Sequence, residues 1–285
     1  MSFNIRFWGV RGSIPSPGPE TAEVGGNTSC VEVTCGEQRI ILDGGTGLRR
    51  LGNTLVGKHV DATILLSHVH WDHIQGIPFF TPLYIPGNSL RFVTGGNAAA
   101  GGLREALHNQ MRKPHFPVDL NDLPSHLAFE DMRDKTRTQI GDVSVSIAKA
   151  NHPDDVYAFR LEHEGRSIVY ATDTEHYSCV DQRLVALARN ADVLIYDAQY
   201  LSEEYAGKSG PTRIGWGHST WEAGVELARA AGVGKLVLFH HDPTRTDEGV
   251  RAIEAMTREA FADSVAAREG MEIAVGARSE GVRAA

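Results

Sequence analysis

The chain is poor in cysteine: it has three, Cys30, Cys35 and Cys179, an odd number with no CxxC pair. That pattern excludes a disulfide framework and a zinc knuckle, and it fits a reducing cytoplasm. Long apolar runs are missing as well, none approaching the ~20 residues that span a bilayer. The start "MSFNIRFWGVRG" also lacks a basic stretch followed by an apolar core. No membrane attachment or export is therefore expected. Nor is there an excess of basic residues. The net charge of −8 opposes gripping long nucleic acid through a positive surface, but it leaves room for a small anionic partner held through a bound cation.

What the sequence does contain is length and alternation. With 285 residues it can bury a large core without crosslinks. About eleven apolar, β-branched segments recur between Gly-rich turns, among them "NIRFWG", "CVEVTCG", "ATILLSH", "RSIVYATD" and "KLVLFHHD". "EHEGRS" reads as a hairpin turning at Gly165. Helical patterns occupy roughly residues 97–112, 179–190, 219–231 and 247–262, the third opening on Ser219-Thr220 with Glu222 following. Hairpin-rich strands followed by alternating strand and helix predict an α/β chain of two packed sheets with helices outside, one domain over 1–285.

Two stretches stand apart. Residues 95–138, with Pro114, Pro117 and Pro124, read as an irregular insertion able to cover a site. Between 97 and 138 six basic and six acidic side chains cancel, which gives no basic groove. His108, Arg112, Lys113 and His115 are there either to touch an anion or to form a solvated face. The loop "RGSIPSPGPETAEVGGN" is either part of a site rim, with Arg11 as an anion contact, or only a connector.

Five of the expected strands end in a histidine or aspartate: His68, His152, Asp173, Asp197 and His240. Sites in α/β architectures form beyond the carboxyl ends of strands, so these residues are expected to converge. The densest signal is "HVHWDH" at 68–73. His68 and His70 lie two apart on extended chain and share one side, which suits one ion. Asp72 and His73 follow where the chain turns, and they suit a second ion. Imidazole nitrogen with carboxylate oxygen favours zinc, with manganese or iron as the other choices. A lone histidine is more often structural, but six positions this crowded after a buried strand are not explained that way.

"HVHWDH" resembles the H-x-H-x-D-H signature of the metallo-β-lactamase superfamily, and "ILDGGTG" at 41–47 resembles that family's early strand-loop element. His152, Asp173 and His240 match its later motifs in order. The resemblance implies an αββα sandwich of two mixed sheets holding two divalent ions at one edge. His68, His70 and His152 would bind one, Asp72, His73 and His240 the other, with Asp173 bridging. Asp43 would steady the loop from behind the ligands or simply cap its turn. In "FHHDP", His240 occupies the matching position and His241 the opposite face. A homodimer is expected only by analogy with related folds.

"WGHST" at 216–220 resembles the H-S-T element of the phosphodiesterase branch, which includes ribonuclease Z-like enzymes and cyclic-phosphate phosphodiesterases. The resemblance places His218 beside the ions as an acid or charge stabiliser, with Asp197 orienting it and Asp72 able to accept a proton. Branch members that hold transfer RNA carry a long arm between the third and fourth motifs. Here only 21 residues separate His152 from Asp173, which leaves no room for one. The 67 residues from Asp173 to His240 likewise leave none for the extra domain of nucleic-acid-cleaving β-CASP members. The expected activity is hydrolysis of a small phosphodiester, such as a cyclic nucleotide or another cyclic phosphate, by a metal-bridging hydroxide. The alternatives are 3′ processing of RNA without an arm, or hydrolysis of a lactone, thioester or lactam.

Overall fold

The computed structural model describes residues 2–96, 101–132 and 137–276. The first sheet contains β1 (Phe3–Gly9), β2 (Cys30–Cys35), β3 (Gln38–Leu42), β4 (Asp61–Leu66), β5 (Ser89–Thr94), β6 (His126–Asp131) and the late strand β14 (Glu272–Ala274). The second contains β7 (Arg137–Ile140), β8 (Val143–Lys149), β9 (Tyr157–His163), β10 (Arg166–Ala171), β11 (Val193–Asp197), β12 (Lys235–Phe239) and β13 (Ser264–Ala266). Among the described residues both sheets have seven strands, and both are mixed. In the first, β3 through β6 are parallel while β1, β2 and β14 are antiparallel. In the second, β10 through β13 are parallel and β7 through β10 antiparallel.

Period-two alternation decides which side chains meet. Ile40, Leu42 and Leu65 enter the core between the sheets, where Phe7 and Tyr170 each lie against Phe239. Their neighbours Ile41, Ile64 and Leu66 face the other way, under α1 (Gly47–Thr54) and α3 (Leu103–Gln110), against Leu48, Leu51, Leu103 and Leu107. On the second sheet α4 (Gln182–Ala188), α6 (Trp221–Ala231) and α7 (Asp247–Ala260) bury Leu184, Val225, Leu227, Val250 and Ile253, and the short α5 (Ser202–Tyr205) buries Tyr205. The result is the αββα sandwich that the sequence predicts. Thr220 caps α6, its hydroxyl accepting from Ala223 N. β9 and β10 form the expected hairpin, with Glu164 and Gly165 both at positive φ, as a two-residue primed turn requires.

The stretch expected to be irregular is not so throughout. It carries α3 and then β6, an edge strand paired in parallel with β5. β6 prints no strand pattern in the sequence because Leu127 and Phe129 are its only large apolar residues, and they cover one half-buried face. α1 hid behind two glycines and two arginines, with only Leu48 and Leu51 marking its buried side. The expected start of α3 at 97, and Arg133, Asp134 and Lys135 of the charge count, lie outside the described residues.

Arg11 is no anion contact. Its side chain is wholly buried, with Nε donating to Gly25 O at 2.8 Å and Nη1 donating to the carbonyls of Arg245 at 2.6 Å and Asp242 at 3.2 Å. The guanidinium therefore clasps the first loop to the segment that follows β12. Replacing Arg11 by Met leaves these buried carbonyls without a donor and should cost on the order of 3 kcal/mol. A lowered urea midpoint checks this; an unchanged midpoint would contradict the clasp.

Candidate metal centre and active site

β4, β8, β10, β11 and β12 all deliver their C-terminal ends to one edge of the sandwich. β8, β10, β11 and β12 run in the same direction within their sheet, and the β4 exit meets theirs across the interface. His68, His70 and His152 come together there, one nitrogen of each within 4.8 Å of the others. Asp72, His73, Asp173 and His240 form a second set on the same spacing, all buried. α2 (Trp71–Ile74) is the short turn that separates the two pairs in "HVHWDH".

Asp173 lies between the sets. Its Oδ1 is 3.3 Å from both His73 Nε2 and His240 Nε2, and its Oδ2 is 3.7 Å from His68 Nε2. Asp72 Oδ2 sits 3.1 Å from the same two nitrogens of His73 and His240, and it accepts the Ser13 N–H at 2.8 Å. His70 Nε2 is 2.9 Å from the exposed Asp154, a partner the sequence did not suggest.

The donor set fits divalent cations. His68 Nε2 and His73 Nε2 are buried with no hydrogen-bond partner among the described residues, an arrangement that costs free energy unless something else occupies the shared space. Burial pushes His68 well below the ordinary histidine range and His152 down to about 4, so both offer neutral nitrogens. Burial opposes a charge on His73 too, but Asp173, Asp72 and Asp43 outweigh it and raise that ring. Converging carboxylates with this appetite for positive charge are what a metal ion satisfies.

Asp43 serves the site rather than only its own turn. It is buried, Oδ1 accepting from Ser67 N and Oδ2 from Ser67 Oγ, Tyr170 Oη and His73 Nδ1, the last two at 2.7 Å. Its acceptance from Nδ1 fixes the His73 tautomer and aims Nε2 at the cluster.

His218 is brought to the same place, its Nδ1 donating to Asp197 Oδ2 at 2.8 Å and its ring stacked on His240 at 4.9 Å. Asp197 is immobilised in turn, Oδ1 accepting from Gln199 N and Ser219 N. Burial opposes protonation of His218, yet Asp197 and then Asp173 outweigh it and lift the ring to about 9. His241 turns away and donates from Nε2 to Ala267 O at 3.0 Å, serving the sheet edge instead of the site. In the 95–138 stretch, His108 is held by Asp119 at 3.0 Å, and α3 backs α2 through Gln110, which donates to Ile74 O.

Two positioning residues belong to no motif of the sequence. Gln199 Oε1 accepts from His240 Nδ1 at 2.9 Å. Glu175, wholly buried, accepts from Gly215 N, Gly217 N and Tyr205 Oη, and so pins the loop that carries His218. Each lies two residues past a strand-end aspartate, near enough along the chain to reach the same edge.

The loop also touches the first histidine set. Gly217 has φ +86°, and a Cβ there would lie 2.2 Å from His152 Cδ2. Gly217→Ala should therefore displace both His152 and His218, with divalent metal binding weakened in calorimetry and Glu175→Gln retaining it better. Asp43→Ala should weaken metal binding by about 10–100-fold through the freed His73 ring. Unchanged affinity in Asp43→Ala would contradict the orienting role.

A model described as the beta-lactamase superfamily domain matches residues 38–241. The ribonuclease Z of Thermoplasma acidophilum is 26% identical, with 98% of this chain and 99% of that protein aligned. The metallo-beta-lactamase fold protein YhfI from Bacillus subtilis superposes with a TM-score of 0.70 at 18% identity, over 96% of this chain and 99% of that one. A diphosphatase of the PhnP family superposes at 0.69 and 17% identity, over 95% and 97%. With its sandwich, its strand-end histidines and a family match over most of its length, the chain belongs to the metallo-β-lactamase superfamily.

Proposed function

We propose that this protein is a metal-dependent phosphodiesterase acting on a small phosphodiester, such as a cyclic nucleotide or another cyclic phosphate. The observation that carries the reading is the buried Asp197–His218 pair beside the metal-ligand sets. Such a pair protonates an alkoxide as it leaves phosphorus, a task that a thioester, whose thiolate leaves unprotonated, does not set.

His68, His70 and His152 would hold one divalent ion and Asp72, His73 and His240 the other, Asp173 serving both; zinc suits the donors best, with manganese or iron as alternatives. When bound, the ions supply Lewis acidity, making water more acidic and neutralising phosphoryl charge. The chain's own residues do the rest. Asp197 keeps a proton on His218 Nδ1, so Nε2 can present its hydrogen to the leaving oxygen. Water attacks phosphorus in line, the far P–O bond breaks, and that oxygen takes the His218 proton while Asp72 takes the proton that water gives up. Seclusion at the buried edge strengthens each of these contacts.

Two features support a small nucleotide-like substrate. Trp71, following His70, and Trp216, two residues before His218, are 79% and 52% exposed; the Arg213 guanidinium lies 4.4 Å over one face of Trp216, which leaves the other face, and the Trp71 ring, for a base to stack on. The interval between His152 and Asp173 is taken up by the β9–β10 hairpin, with no arm to hold a long RNA. Armless 3′ processing of RNA is the second reading, favoured by the ribonuclease Z relative aligned over nearly its whole length.

Turnover of bis-(p-nitrophenyl) phosphate, cyclic nucleotides, a transfer-RNA precursor and a lactam or lactone by zinc- and manganese-loaded protein separates the readings. The cyclic substrates should lead, and His218→Ala should lower their kcat by about 10²–10⁴-fold with metal content unchanged. Full phosphodiesterase activity in that variant would remove the assigned role, and a preference for the precursor would move the assignment to RNA.

A further inference from the structure

A second gathering of metal-capable side chains lies at the end of the sandwich opposite the histidine sets. Cys35 closes β2, His163 closes β9, and Asp142 sits in the turn just before β8. β9 runs antiparallel to β8 and β10, so it finishes away from the edge where His152 and Asp173 emerge. One donor atom from each of Cys35, Asp142 and His163 lies within 4.8 Å of the other two, the spacing that also gathers the sets at the opposite edge.

His163 gives the independent sign that something is held there. Its side chain is 3% exposed, yet neither ring nitrogen has a hydrogen-bond partner among the described residues. Nδ1 lies 3.5 Å from Asp142 Oδ2 and Nε2 lies 3.6 Å from Glu164 Oε2, while the ring stands edge-on to Phe3. A buried imidazole left in this state is costly, and a cation at the point shared with the thiol and the carboxylate would supply the missing partner. Cys35 is likewise buried, its thiol pushed up to about 11 by burial and then by Asp142. Metal coordination is the ordinary means of drawing such a thiol to thiolate. Asp142 has a side chain 55% exposed and opens the place to solvent.

We propose that Cys35, His163 and Asp142 bind one soft divalent cation of the zinc class, apart from the ions at the histidine sets. Thiolate, imidazole and carboxylate with a fourth position left to water make a tetrahedral set typical of zinc. The ion would staple the first sheet, through β2, to β9 and the β7–β8 turn of the second. The lack of a CxxC pair rules out a knuckle, but not a site assembled from distant strands.

Cobalt(II) added to metal-stripped protein tests this directly, because a near-ultraviolet thiolate-to-cobalt charge-transfer band requires a cysteine ligand and the histidine sets contain none. The expected result is a band whose full amplitude corresponds to one thiolate-bound cobalt per chain, beyond the cobalt that the histidine sets take up, and which zinc displaces. Cys35→Ser and His163→Phe should abolish it, while Cys179→Ser keeps it. Asp142→Asn, at an exposed position that leaves the fold intact, should weaken cobalt binding about tenfold or more. No band in the unaltered protein, a band that survives Cys35→Ser, or unchanged affinity in Asp142→Asn would overturn the site.

Discussion

Four carboxylates, Asp43, Asp72, Asp173 and Asp197, are buried at one edge of this sandwich, and the site depends on how their charge is balanced. Taking a carboxylate out of water costs several kcal/mol unless partners compensate it. Each of the four meets that demand through a histidine: Asp43 and Asp72 through His73, Asp173 through His73 and His240, Asp197 through His218. The division of tasks follows. Asp43 and Asp197 take the Nδ1 face of a ring and orient it, whereas Asp72 and Asp173 confront Nε2 atoms that point at a common space. Where proton donors suffice, the pair is fixed; where they do not, a cation is called for.

The backbone is bent to the same end. Asp43, Asp173 and His240 all hold positive φ, at 62°, 50° and 59°, a conformation that L residues seldom adopt. All three follow directly, or within two residues, on strands in parallel pairing, where an extended chain would carry the next side chain onward past the edge. The left-handed turn aims it back into the cluster instead. Strain of this kind persists because the strands on both sides and the buried hydrogen bonds overdetermine it.

How legible this was differed from residue to residue. "HVHWDH" could be read because its crowding has no structural explanation, Asp173 and His240 because they follow strongly apolar strands, and His152 because it follows the alternating strand β8. The two sheets followed from the same strands, while β6 and α1 did not, since an edge strand and a one-sided short helix bury too few apolar residues to print a period. Arg11 was ambiguous because composition cannot say whether a loop arginine faces solvent or backbone carbonyls. The Cys35, Asp142 and His163 grouping left no trace, for strands far apart in sequence meet only once the sheets have packed.

In the proposed centre the two histidine sets hold two ions with Asp173 between them. Anomalous diffraction from zinc-loaded crystals tests it most directly. Two peaks are expected at this edge about 3.5–4 Å apart, one against His68, His70 and His152, the other against Asp72, His73 and His240. A single peak there at full occupancy, or two peaks that leave Asp173 outside both coordination spheres, would contradict it.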